Sequence, residues 1–281
     1  NYWHIGPGHG CVHFRVFSVA FANFSLRRKG VFISENSSKL REKIVLSCRM
    51  IGRLGLTKGS FGHVSARIPE TDRVLIKSKG PGDVALEFAT EEDIIMINLA
   101  GKVLEAAEGR DAPSETVMHL AVYKARPEIM SVIHTHPDWI VLLTACGKPL
   151  LPIYTGYNPP SIRLLMEGIP LYPRSVTIIN EELSQDFMRV MGDKKACLLL
   201  GHGLTTAGKS VEESTIISMN LLELARMNYL AYALGNPQPV PEEDIKEYQS
   251  RWERGLRNMQ REANADEEPS EWRYYKRLIE K

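Results

Sequence analysis

Three histidines and one glutamate carry the reactive chemistry of this sequence. His134 and His136 stand two apart in "SVIHTHP", at the end of an apolar run, and His202 stands between two glycines in "LLLGHGL". In a strand, side chains alternate faces, so His134 and His136 point the same way. Two imidazoles side by side are costly as packing and useful as ligands for a divalent ion. Glu115 opens "ETVMHLAVYKARPE", the segment before the His-Thr-His run. At a helix N-terminus the dipole favours its charged form. Three imidazoles and one carboxylate make a four-donor set suited to zinc or a similar ion. Each member also has a plainer reading: polar residues at a strand end, a Gly-His-Gly turn, a first-turn carboxylate. The combination is what points to a metal. His119, four residues after Glu115 on the same helix face, reads as a hydrogen-bonded interior histidine. His63, in "GSFGHVSAR", suits substrate contact and loop-to-strand packing about equally.

These residues need elements to hold them. "SETVMHLAVYKARPE" reads as a helix that Ser114 can cap and Pro127 ends. "IMSVIHTHP" reads as a strand, joined to that helix by a tight turn, so the two run as antiparallel neighbours. Glu115 then starts the helix at the end where the strand finishes, facing the histidines. "KACLLLGHG" reads as a second buried strand ending in a histidine. Upstream, "SSKLREKIVLSCRMIGRLGL" predicts a capped helix of about 15 residues. "GHVSARIP" and "RVLIKSKGP" predict short strands bounded by Gly and Pro. "TEEDIIMINLAGKVLE" predicts a Thr-x-x-Asp cap and then a hairpin turning at "LAGK". Downstream, "SVEESTIISMNLLELARMNYLAYALG" predicts a long helix closed by Gly235. Strands mixed with helices over about 200 residues indicate an α/β layered domain.

The chain has 281 residues, 43% hydrophobic and 25% charged, with a net charge of +1. Neither nucleic acid nor an acidic membrane is implied as a partner. The cysteines, Cys11, Cys48, Cys146 and Cys197, show no CxxC spacing. That argues against a disulfide framework and for a reducing, cytoplasmic setting. The first 34 residues contain no acid and four basic residues, Arg15, Arg27, Arg28 and Lys29, so the remainder carries 1 − 4 = −3. Residues 1–36 are expected to be a disordered or non-native leader. Residues 37–236 are expected to form the catalytic domain and 237–281 a helical extension.

"PSETVMHLAVYKARPEIMSVIHTHP" together with "LLLGHGL" resembles the class II aldolase/adducin family, whose members include fuculose-phosphate aldolase and ribulose-phosphate 4-epimerase. The likeness runs from about Ser38 to Leu234. It implies a layered α/β/α domain with a central, mostly antiparallel sheet flanked by helices. It further implies one divalent metal per chain, zinc first, with manganese, iron or cobalt as alternatives. A homotetramer with sites at subunit interfaces is the usual assembly. Carried over, the metal ligands are His134, His136 and His202, and Glu115 is an acid/base group able to approach the metal.

Departures from the family's phosphosugar motifs bear on substrate. Its aldolases have a Gly-Asn-x-Ser loop and a Ser-Ser-Glu motif that help bind phosphate. Here these read "GHVS" and "PSE", with His63 in place of Asn and Pro113 in place of the first Ser. Proline lacks both a hydroxyl and an N–H donor. Ser78, Lys79, Gly80 and Ser114 remain to bind an anion, carboxylate or phosphate. "GHVSAR", "GIPLYPRS" and the tail "EWRYYKRL" resemble the branch that decarboxylates hydroxylated benzene and pyridine dicarboxylates. The expected function is a metal-dependent carbon–carbon lyase, favoured as a decarboxylase of a hydroxylated aromatic acid. Glu115 or His63 would donate the proton or position the substrate, and Lys79, Arg163 or Arg174 would pair with a second carboxylate. The alternatives are a phosphosugar aldolase or epimerase, a non-catalytic adducin-like interaction module, and an iron-dependent oxygenase. The tail's aromatic residues are expected to cover the site, from the same or a neighbouring subunit.

Overall fold

A computed structural model of the chain describes residues 37–259 and 268–280. The leader expected over residues 1–36 lies outside the described residues. All eight strands named below belong to the compact unit that begins at Leu40.

The first helix, α1, spans 37–53. Strands β1 (His63–Arg67) and β2 (Arg73–Lys77) follow as an antiparallel pair. Next come β3 (Ile94–Asn98) and β4 (Val103–Glu105). The predicted cap before β3 is present, with the Thr90 backbone N–H donating to the Asp93 carboxylate at 2.8 Å. The hairpin turns where expected, because Asn98 Oδ1 accepts from the backbone N–H groups of Ala100 and Lys102. Helix α2 (Thr116–Ala125) then leads into β5 (Ser131–Thr135). Three helices and a two-residue strand carry the chain across the fold: α3 (Asp138–Ala145), α4 (Pro159–Glu167), β6 (Leu171–Tyr172) and α5 (Glu181–Met191). Strands β7 (Ala196–Leu199) and β8 (Gly203–Gly208) form a hairpin, and α6 (Val211–Leu234) is capped by Ser210 and stopped at Gly235. The extension adds α7 (Glu242–Met259) and α8 (Ser270–Ile279).

The eight strands form one sheet in the order β4-β3-β2-β1-β5-β8-β7-β6. Every pairing is antiparallel except β6 with β7. The central strands β5 and β8 are buried on both faces because helices cover both. Along β7, Cys197 and Leu199 face Met118 and Val122 of α2 and Phe187 of α5. Ala196 and Leu198 face the layer built from α3, α4 and α6. Period-two alternation thus assigns each strand side chain to one of two cores. His134, two residues after Val132, falls on the α2 side.

The tail packs on the opposite layer. Ile245 and Tyr248 join the α3/α4/α6 core, and the Arg163 guanidinium on α4 lies 3.2 Å from the centre of the Trp252 ring. Trp272 is wholly buried, and Arg53 donates to the carbonyl of Ile279. Within one chain the tail's aromatic residues therefore brace the α4/α6 layer instead of covering the histidines.

Candidate metal centre

The site forms where three strands and one helix end together. On β5, His134 stands directly opposite His63 of β1 and Thr205 of β8. His136 follows one residue beyond the strand. Helix α2 lies against the same face, bringing Glu115 at its N-terminus back to the end of β5. Glu115 is itself the residue that starts the helix, and no side chain caps it. Ser114 is exposed in the preceding turn and is not the cap expected of it, because the chain enters α2 one residue later. His202 sits in the turn between β7 and β8, which Gly201 permits with a φ of +58°. Gly203 serves the sheet and not a ligand: a Cβ there would collide with the Thr135 carbonyl oxygen.

The four side chains converge. Glu115 Oε2 lies 3.4 Å from His134 Nε2, and Glu115 Oε1 lies 3.7 Å from His202 Nε2. The Nε2 atoms of His134 and His136 approach to 2.9 Å. One donor atom from each of Glu115, His134, His136 and His202 falls within 4.8 Å of the others. The far side of the rings is committed to the backbone. His134 Nδ1 donates to the Leu204 carbonyl at 3.0 Å, and His202 Nδ1 donates to the Val176 carbonyl at 3.1 Å. Each ring thus turns its Nε2 inward, the arrangement that supports metal-ligating histidines. Glu115 Oε1 also accepts from the Ile178 backbone N–H at 3.2 Å, which orients the carboxylate.

The electrostatics follow from burial and crowding. Burial and the neighbouring His134 and His202 push His136 down to about 3. Burial, then His134, lowers His202 as well. Burial acts to raise the Glu115 carboxyl, yet the neighbouring His134, and then His63 and His202, hold it well below the usual carboxylate range. At neutral pH His136 and His202 are uncharged and the carboxylate is charged. Neutral nitrogen donors plus one anion fit a divalent ion and leave most of its charge available.

Beside the cluster lies a cavity lined by His63, Ser78, Lys79, Ser114, Glu115 and His136, all singled out in the sequence. Ser78 Oγ is buried without a hydrogen-bond partner. Gly80, Arg163 and Arg174 do not line the cavity. Gly80 packs against Gly109, Arg163 stacks on Trp252, and Arg174 lies 3.7 Å from Asp186. His119 is wholly buried and hydrogen-bonded, as its plainer reading holds. Phe61 was not evident in the sequence as a site residue. It is 59% exposed, lines the cavity and faces the His136 ring at 5.8 Å between centroids. An aromatic residue before a glycine, "FGH", is its one sequence signal.

Comparisons with known proteins agree with this architecture. The family model for the class II aldolase and adducin N-terminal domain matches residues 42–229. A 3,4-dihydroxyphthalate decarboxylase of Arthrobacter keyseri is 34% identical over 211 residues, covering 74% of this chain and 85% of that protein. The L-fuculose phosphate aldolase of Escherichia coli strain K12 is 29% identical over 208 residues, covering 72% and 88%. Among solved structures, the L-fuculose 1-phosphate aldolase of Glaciozyma antarctica superposes with a TM-score of 0.69 at 22% identity, covering 88% of this chain and 91% of that one. With the family model covering more than half of its length, this chain belongs to the class II aldolase and adducin family.

Proposed function

We propose that the chain is a divalent-metal-dependent carbon–carbon lyase that decarboxylates a hydroxylated aromatic carboxylic acid. The convergence of Glu115, His134, His136 and His202 carries the reading, since it brings four metal donors to the edge of a cavity. A divalent ion held there supplies Lewis-acid stabilisation of the negative charge that develops as a carbon–carbon bond breaks. His134, His136 and His202 would hold the ion through their ring nitrogens. Glu115 would be the fourth donor or the group that moves a proton at the reacting carbon. Lys79 and the unpartnered Ser78 hydroxyl anchor a carboxylate.

Two features favour an aromatic acid over a sugar phosphate. Pro113 is buried in the cavity wall where the aldolase motif has a serine, so one phosphate donor is lost. Phe61 gives the cavity an apolar wall against which a ring can lie. The likeness to dihydroxyphthalate decarboxylases at 34% identity supports the same choice. The second reading, a phosphosugar aldolase, has the Ser78–Lys79 anion site and the 29% likeness to fuculose phosphate aldolase in its favour. A homotetramer is the assembly proposed with either.

The test is a mass-spectrometric screen of metal-supplemented protein against hydroxybenzene and hydroxypyridine carboxylates beside sugar phosphates. A product lacking carbon dioxide is expected. Cleavage of a sugar phosphate to an aldehyde and a three-carbon phosphate would replace this reading with the second.

A further inference from the structure

Behind the cavity wall runs a buried chain of polar groups that the lyase chemistry leaves unexplained. His63 Nδ1 lies 2.8 Å from His119 Nε2. His119 Nδ1 lies 2.7 Å from Ser65 Oγ. Ser65 Oγ lies 2.8 Å from Tyr123 OH and 3.3 Å from the Val132 carbonyl oxygen. Ser65, His119 and Tyr123 are all buried away from solvent.

Counting protons sets the direction of this chain. Three hydrogen bonds meet at Ser65, to His119, Tyr123 and Val132, and each needs one proton. The carbonyl brings none, and the two hydroxyls bring one each. The third must come from His119 Nδ1–H. In a neutral ring its Nε2 is then bare and accepts from His63 Nδ1–H. His63 is left with a bare Nε2 on the cavity side. Reversing the chain would leave one of the contacts at Ser65 without a proton and turn an N–H of His63 toward Glu115. At 3.9 Å, Glu115 Oε2 is too far to accept it.

Two acceptors, His63 Nε2 and Glu115 Oε2, thus face one gap at the cavity edge. A hydroxyl placed in that gap has one proton to donate, and the bare His63 Nε2 can accept it. We infer that His63, held in its Nδ1–H form by the positioning residues His119, Ser65 and Tyr123, accepts a hydrogen bond from a substrate hydroxyl and so selects hydroxylated over etherified substrates. The selection rests on the reading of the substrate as a hydroxylated carboxylic acid, whereas the tautomer does not.

The experiment has two readouts. Neutron diffraction from crystals of the deuterated full chain at neutral pH reads the ring protons directly. Deuterium on Nδ1 and none on Nε2 of both His63 and His119 is expected. Deuterium on His63 Nε2 with Nδ1 bare overturns the inference. The second readout is calorimetric affinity of the zinc-loaded protein for 2,3-dihydroxybenzoate and for its dimethyl ether. The ratio of the two affinities is measured in the wild type and in His63→Phe, so that contacts of the hydroxyl with the metal cancel. The ratio is expected to fall by about 3–10-fold in the variant, the value of one hydrogen bond. An unchanged ratio overturns the role of His63. Binding of neither probe to the wild type would reject the substrate class for this site, and the neutron map would still decide the tautomer. In Ser65→Ala the His119 Nδ1–H loses its acceptor, so His63 is expected to shift toward its Nε2–H form. A purely structural role for Ser65 would leave the tautomer as in the wild type. If that variant does not fold, the wild-type map alone decides.

Discussion

His134 donates its Nδ1 proton to the Leu204 carbonyl across the β5–β8 pairing, at 3.0 Å, and this contact turns its Nε2 toward Glu115. A side-chain bond to a strand carbonyl thus orients a candidate ligand. His136, one residue past the strand, closes the set without changing the sheet. His136→Ala is therefore expected to keep the fold and weaken metal binding by more than about a hundredfold, beyond the usual cost of losing a supporting partner. Metal content by inductively coupled plasma mass spectrometry checks this. Full occupancy in the variant would remove His136 from the ligand set.

Glu115 sits between three imidazoles and the cavity, so its charge and its proton serve different ends. Glu115→Gln keeps the shape and an oxygen but loses the proton-moving carboxylate. Metal is expected to be largely retained while turnover falls about 10²–10⁴-fold, the range for a positioned acid/base group. Unchanged turnover would assign the proton step elsewhere.

His119 sets a pH dependence of stability. Burial, then the nearby His134, pushes its ring down to about 3, against 6.5 for an exposed histidine. Between those values the unfolded chain binds a proton that the folded chain refuses, so stability falls as pH drops below about 6.5. The loss from this group reaches about 1 kcal/mol at pH 5.5. Urea unfolding at pH 7.5 and pH 5.5 measures it. His119→Gln is expected to show a smaller difference between the two pH values than the wild type. An equal difference would mean that another group supplies the slope.

Trp272, on α8, is fully buried on the layer opposite the histidines. Trp272→Ala is expected to cost about 3–5 kcal/mol of stability, as for other large buried aromatic residues, with the metal-to-protein ratio unaltered. Calorimetric melting paired with metal analysis separates the two effects. Loss of metal in the folded variant would tie the extension to the site after all.

The donor set was legible in the linear chain because its spacing is local chemistry. His-x-His on a strand and a glutamate opening the preceding helix, joined by a tight turn, place three donors together by period and chain reversal alone. The α2–β5 pair, the β3–β4 hairpin and the long α6 were legible for the same reason: caps, turns and apolar periods lie within a few residues of the elements they define. Strand β8 was not, because "GLTTAG" has no apolar alternation, and it is a strand only because β5 and β7 offer hydrogen bonds on either side. Arg163 and Arg174 looked like substrate cations by charge type, yet Trp252 and Asp186 claim them, partners that only folding brings near. His63 shows the division most plainly. Residue type marked it as polar and near the site. Its register opposite His134 and its hydrogen bond to His119 depend on contacts between residues more than 50 apart, and these determine which nitrogen faces the cavity. Local sequence determines which groups can do chemistry. Long-range pairing decides how they point, because hydrogen bonds and burial act on distances that chain order does not contain.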